Sequence, residues 1–220
     1  MVAILFDLED TLVQSIGNNE KAILEFRIAT RKKLLDLGIP VSVLKNVTKS
    51  TLMRNIALEY VEKQYNVRDA RQFLLEIDRF LKKYELAWAN QSKIFPDTQT
   101  TLIKLRELGY KMAVITNTSR EAAKLMLSIH GITDFFELII TREDVKKLKP
   151  DPEGILLALK MLDEQDFFFV GDLVHDLNAA KKAGGKCIIV NRTFTEKLDF
   201  RADYTVQSLE EIPGLIQNIS

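Results

Sequence analysis

This 220-residue chain has a single cysteine, Cys187, which excludes an internal disulfide framework and any zinc site built from several cysteines. It also lacks an excess of either charge: 31 lysines and arginines meet 31 aspartates and glutamates. Surfaces for nucleic acid or anionic membrane call for a basic excess, so neither is an expected partner. No apolar run approaches the ~20 residues of a membrane span. Asp7 and Glu9 interrupt the N-terminal apolar stretch before a secretory signal could form, so a cytoplasmic protein is expected. Cys187 lies within the apolar run KCIIV and reads as a buried structural thiol.

What is present is a core-forming composition, 46% hydrophobic. Five short apolar runs stand out: Val2–Phe6, Lys111–Ile115, Glu137–Ile140, Phe167–Val170 and Lys186–Val190. Each is nearly continuous and rich in β-branched or aromatic residues, as strands covered on both faces are. Helical patterns separate the later runs, at Thr98–Leu108, Arg120–His130, Pro152–Leu162 and Asp176–Ala183, and glycines follow three of the four. Alternating strand and helix predicts an α/β fold, a Rossmann-like doubly wound parallel sheet.

Residues 17–92 break the rhythm. Helices are expected over Asn19–Asp36, Thr51–Tyr65 and Ala70–Trp88, the last with Phe73, Ile77, Phe80, Tyr84 and Trp88 on one face. The expected organisation is a core of residues 1–16 and 93–220 with an inserted helical cap domain at 17–92. The chain would cross between them near Gln14–Gly17 and Ser92–Pro96.

In an open parallel sheet, ligands bind beyond the carboxyl ends of the strands. The residues there are Asp7, Glu9, Asp10 and Thr11 after the first run, and Thr116 and Asn117 after the second. Lys149 follows the third, and Asp172 and Asp176 follow the fourth. Crowded carboxylates repel unless a cation sits among them. A hard divalent ion with oxygen ligands fits, Mg2+ with a substrate phosphate best of all. Lys149 supplies charge for that phosphate, Thr116 a hydroxyl, and the helix after Thr116-Asn117-Thr118-Ser119 an N-terminus that favours anions.

Four separated segments, FDLEDTL, VITNTS, LKPDP and VGDLVHD, occur in an order that resembles the haloacid dehalogenase superfamily of phosphohydrolases. The helical insertion is similar to the cap of its phosphoglycolate-phosphatase and phosphoglucomutase-like branch. The resemblance implies an Mg2+-dependent phosphatase that cleaves a small phosphorylated metabolite through an aspartyl phosphate, acting as a monomer or homodimer. Asp7 would be the nucleophile. Asp7, the backbone carbonyl of Glu9, Asp172 and Asp176 would hold the metal. Thr116, Asn117 and Lys149 would bind the phosphoryl group, and Glu9 would serve as acid and base. A sugar-phosphate mutase or phosphotransferase, a 2-haloacid dehalogenase and a catalytically weakened binding protein are the alternatives.

Glu9 stands where the family usually has aspartate. Both side chains carry a proton with similar ease, near pKa 3.9 and 4.3, but glutamate reaches one bond further. The enolase-phosphatases of the same superfamily resemble a precedent. Asp10, at a position commonly glycine in the family, reads as a turn residue. Lys149, before Pro150, should be extended, with Asp151 capping a helix that begins at Pro152. His130 reads as packing, while His175 and Asn191-Arg192 are marginal to the site. Lys49, Arg54, Asn55 and the Phe73–Trp88 stripe read as solvated surface and packing rather than ligand contacts.

Overall fold

Four successive buried residues, Ala-Ile-Leu-Phe, make the central strand β1 (Ala3–Phe6). The computed structural model describes residues 2–15, 19–192 and 201–219. The chain continues through β2 (Val13–Gln14), three long helices, α1 (Glu20–Asp36), α2 (Ser50–Gln64) and α3 (Val67–Ala89), and returns at β3 (Lys93–Ile94). Helix and strand then alternate: α4 (Thr98–Glu107), β4 (Met112–Ile115), α5 (Arg120–Ile129), β5 (Leu138–Ile140), α6 (Glu153–Leu162), β6 (Phe167–Gly171), α7 (Val174–Lys182) and β7 (Lys186–Val190). A last strand and helix, β8 (Tyr204–Val206) and α8 (Ile212–Ile219), lie beyond the final expected run.

Among the described residues the main sheet has six strands in the order β5-β4-β1-β6-β7-β8, all paired in parallel. The five expected strands are found within one residue of their predicted ends. The sixth, β8, was not expected: only Val206 of its three residues is buried, so it has no apolar run to betray it. Side chains alternate between two cores. Ile4, Phe6, Val114, Val170 and Ile188 pack with residues of α4, α5 and α8, whereas Leu5, Ala113, Phe169, Cys187 and Ile189 pack with α6 and α7. Strands β1 and β6 are neighbours whose following segments return over opposite faces, so a crevice opens beyond their carboxyl ends.

Helices α1–α3 share a third core, with Leu34, Leu44, Met53, Leu58, Phe73, Ile77 and Leu81 at its centre. Asn19 and Asn66 cap α1 and α3 by accepting hydrogen bonds from Ala22 N and Asp69 N, each at 3.1 Å. The expected aromatic stripe splits. Phe73 and Ile77 enter the core, but the buried line continues through Leu81, Glu85 and Ala89. Phe80, Tyr84 and Trp88 stay half-buried, and Phe26 of α1 stacks against Tyr84 and Trp88. The lines part after Ile77, where a step of three leads to Phe80 and a step of four to Leu81, about 100° apart on a 3.6-residue helix. The chain enters and leaves this helical segment through β2 and β3, which pair antiparallel, Val13 with Ile94 and Gln14 with Lys93. The expected boundary between residues 16 and 17 lies outside the described residues. No helix among the described residues is long and apolar enough to cross a membrane.

Beside this double passage sits a buried hub. Asp97 Oδ2 accepts hydrogen bonds from Arg192 at 2.9 Å, Ser208 Oγ at 2.8 Å and Leu209 N at 2.8 Å. Arg192 also donates to Thr11 O at 2.9 Å and lies over the Phe95 ring. It therefore ties the first strand's exit to the return strand. Burial alone would raise the Asp97 pKa, but these donors outweigh it and hold the carboxyl below its ordinary value. Asp97→Ala should lower stability by about 2–3 kcal/mol, a fall in Tm of roughly 5–10 °C. Because the folded pKa is depressed, that contribution exists above the unfolded carboxylate pKa and is lost as pH falls through the folded one. In thermal melts, the Tm difference between native and variant protein should be smaller at pH 3 than at pH 7.

Candidate active site

The strand ends deliver their side chains to the expected crevice. Asp7 follows β1 directly, its amide donating to Val170 O of β6 at 2.8 Å. Asp172 and Asp176 lie beyond β6, and Asp176 Oδ2 accepts hydrogen bonds from Asp172 N at 3.2 Å and Leu173 N at 3.1 Å, fixing the start of α7. Gly171 is required there, since a Cβ on it would sit 2.5 Å from Asp176 Cγ. Carboxylate oxygens of Asp7, Asp172 and Asp176 lie within 4.8 Å of one another. Lys149 Nζ reaches into the group, 2.7 Å from Asp7 Oδ1 and 2.8 Å from Asp176 Oδ1. The lysine is almost wholly buried and stands over the Phe169 ring, 5.1 Å from its centroid.

Lys149 is held by its backbone as well as its charge. Asn117 Nδ2 donates to Lys149 O at 3.1 Å, and Asn117 Oδ1 accepts from Lys149 N at 2.9 Å. The Asn117 side chain is therefore occupied by Lys149, a bracket that no local sequence pattern signals. Thr116 is buried, with its hydroxyl accepting from Thr118 N at 3.1 Å. It does not cap α5, whose N-cap is Ser119. The Lys149–Pro150 peptide is cis, and α6 begins at Glu153, one residue later than expected, with Asp151 Oδ1 accepting from Glu153 N at 3.1 Å. Asp10 adopts φ 60°, as a turn residue would.

The electrostatics separate the acids. Burial pushes the Asp7 carboxyl up to about 6, with Lys149 opposing the rise and Asp176 adding to it. Burial also pushes Glu9 up, to about 8, and the charges of Glu85, Asp7 and Asp10 add to the effect. Asp172 is raised by burial and by its carboxylate neighbours. Burial lowers the Lys149 pKa, but Asp176 and Asp7 more than offset it, so the ammonium is firmly protonated.

These residues suit a divalent cation. Three carboxylates converge, and Asp172 Oδ1 is buried without a hydrogen-bond partner. A cation accepting that oxygen would satisfy it and relieve the mutual repulsion.

The charged and amide side chains of the helical segment were expected to be solvated. Instead Arg54 and Asn55 bond to the protein itself. Arg54 is fully buried, pairing bidentately with Asp78 at 2.7 and 3.0 Å and donating to Lys146 O at 2.9 Å. Asn55 exchanges two hydrogen bonds with Leu148, donating to its carbonyl at 2.8 Å and accepting from its amide at 3.1 Å. The reading of these two residues as solvated surface is thus corrected: partners on the sheet side desolvate them. Arg142, also fully buried, pairs with Glu85 through both terminal nitrogens and donates to Asp78 O at 3.2 Å. Glu85 Oε2 additionally accepts from Ser119 N at 3.1 Å. The signal for Glu85 was its register, four residues beyond Leu81 on the buried line of α3. Lys49 Nζ is 3.5 Å from His175 Nε2 at the rim, and burial with Lys49 depresses the His175 pKa to about 4. His130 Nε2 shares a hydrogen bond with Ser92 Oγ at 2.9 Å.

The family described as Haloacid dehalogenase-like hydrolase matches residues 4–190. A phosphoglycolate phosphatase of Photorhabdus laumondii subsp. laumondii is 30% identical over 84% of this chain and 78% of its own length. A pyrophosphatase, PpaX, of Bacillus mycoides is 25% identical over 99% of this chain and 97% of its own. The crystal structure of a HAD phosphatase from Thermococcus onnurineus superposes with a TM-score of 0.63 at 26% identity, covering 98% of both chains.

The raised Glu9 pKa carries a stability signature. Between its ordinary 4.5 and about 8, the native carboxyl keeps a proton that the unfolded chain has released. The native state then binds more protons, so this group's contribution to stability falls as pH rises through that window. Glu9→Gln removes the penalty. In EDTA, the Tm of the variant minus that of the native protein should grow from pH 5 to pH 9; a constant difference would show that Glu9 ionises freely.

Proposed function

The chain belongs to the haloacid dehalogenase-like hydrolases, and on that premise we propose that it is a phosphatase of small phosphorylated metabolites that works through an aspartyl phosphate on Asp7. The observation that carries this reading is the buried Lys149 ammonium, ion-paired to Asp7 at 2.7 Å and Asp176 at 2.8 Å beside a third carboxylate. Asp7, Asp172, Asp176 and the Glu9 carbonyl would hold the metal, which we propose is Mg2+. When bound, it supplies positive charge that draws electron density from the phosphoryl oxygens.

The chain's own groups divide the remaining work. Asp7, raised only to about 6, is largely ionised at neutral pH and able to attack phosphorus. Glu9, raised to about 8, holds its proton and is able to give it to the leaving oxygen as the ester P–O bond breaks. The deprotonated Glu9 then takes a proton from the water that attacks the phosphorus, which frees Asp7 and inorganic phosphate. Two neighbouring carboxyls with separated pKa values are the pattern of an acid and a nucleophile sharing one site. Thr116 donates its hydroxyl to the phosphoryl oxygens, and Lys149 offsets their charge through both steps. Residues 17–92 would act as the cap that excludes bulk water. The three convergent carboxylates favour this chemistry over halide displacement, which needs no cation.

Phosphoglycolate and inorganic pyrophosphate head the substrates to test, since relatives are named for acting on them. With Mg2+, purified protein should release phosphate from at least one small phosphoester, and EDTA should stop it. Asp7→Asn should lower that rate at least ~1,000-fold. An undiminished rate in Asp7→Asn would move the activity to another site.

A further inference from the structure

Two of the loops assigned above to the phosphoryl group are held partly by side chains of the helical segment. On α3, Asp78 and Glu85 lie two turns apart and face the sheet together. Glu85 binds the amide of Ser119, the residue that opens α5 at the end of the Thr116–Ser119 loop. It is steadied by Arg142, which also approaches Asn117 O at 3.4 Å and whose own amide donates to Thr118 O at 3.1 Å. On α2, Arg54 binds Lys146 O, and Asn55 binds both backbone groups of Leu148, the residue before the site lysine. Arg54 and Arg142 share Asp78, so both contacts belong to one buried array.

We propose that Glu85 and Asn55 are positioning residues. They hold the Thr116–Ser119 loop and the Lys146–Lys149 segment in mutual register, so the phosphoryl-binding groups are complete only with α2 and α3 seated on the sheet. The proposal rests on the phosphatase reading of Thr116, Asn117 and Lys149. It differs from substrate recognition, since neither Glu85 nor Asn55 need touch the ligand. Hydrolysis is thereby conditional on closure: the groups that fix the phosphate loop leave with the helices, and an open molecule has a loosened loop. Misplacement of about 1 Å at such a site lowers rates on the order of 100-fold.

The test combines amide hydrogen exchange with kinetics on Glu85→Ala, Glu85→Gln and Asn55→Ala. Exchange is measured on the full chain without substrate or metal. Glu85→Ala should lose protection at the Ser119 amide, and Asn55→Ala at the Leu148 amide, each by at least about tenfold. In both, kcat on the substrate found above should fall roughly 10–100-fold with KM within about threefold. Glu85→Gln, which keeps an acceptor for Ser119 N, should recover part of both losses, a rescue that a bulk loss of stability would not give. Should Glu85→Ala fail to fold because Arg142 loses its Glu85 carboxylate, Asn55→Ala removes no charge and decides by the same criteria at Leu148. Unchanged protection at these amides, or lost protection with kcat within twofold of native, overturns the proposal. The exchange readout needs no turnover, so a protein inactive on every phosphoester defeats the phosphatase reading while Ser119 and Leu148 still report on the contacts.

Discussion

A single buried ammonium holds the site together. Lys149 Nζ stands between Asp7 and Asp176 with little access to water, and each of these charges would be untenable there alone. Remove the lysine, and three carboxylates within 4.8 Å would repel across a crevice too dry to screen them. Much of the surrounding architecture serves to bring that nitrogen to that point. Asn117 grips its backbone, Asn55 grips the residue before it, and Phe169 of β6 floors its side chain. The same ammonium opposes the rise of Asp7 on burial, while Glu9, beside the charges of Glu85, Asp7 and Asp10, rises further. The contrast between the proposed nucleophile and the proposed acid therefore owes much to where one lysine points.

The glutamate at position 9 fits this setting. Its carboxyl lies among acids on the core side and Glu85 from α3, with Thr118 as hydrogen-bond partner. Its carboxyl thus hydrogen-bonds within the Thr116–Ser119 loop and feels the charge of Glu85 on the helical segment. Asp10 turns the backbone with φ 60° immediately after it, and Asp10 N donates to Val13 O at 2.6 Å. The turn is thus built without the glycine usual in the family.

The sheet and the site were legible in the sequence for one reason. Central parallel strands are covered on both faces, so β1, β4, β6 and β7 had to be written as apolar runs, and residues just past them had to stand at the crevice. Features that escaped lack that compulsion. Strand β8 lies at the sheet edge, and β2 and β3 are two residues each, too short for any period to register. Arg54 and Asp78 were illegible for a different reason. A charged residue on an amphipathic helix looks solvated unless its partner is known, and here each partner lies 24 to 92 residues away. Burial of a charge is decided by tertiary pairing, which no local pattern records.

The composition of that seam also bears on motion. Two guanidiniums, Arg54 and Arg142, face two carboxylates, Asp78 and Glu85, so the buried charges cancel. A buried pair gains Coulomb energy close to what its desolvation costs, so its net contribution is small even when its geometry is good. An apolar seam of the same size would gain free energy with every square ångström covered and would resist reopening. Paired charges instead specify one seated arrangement, since any shift leaves an ion unpaired, without making that arrangement deep. Helices joined to the sheet by two short paired strands, β2 and β3, and seated through such a seam combine a defined closed geometry with a low resistance to leaving it. That combination suits the proposed chemistry, which calls for a dry site while phosphorus is attacked and an open one when phosphate departs.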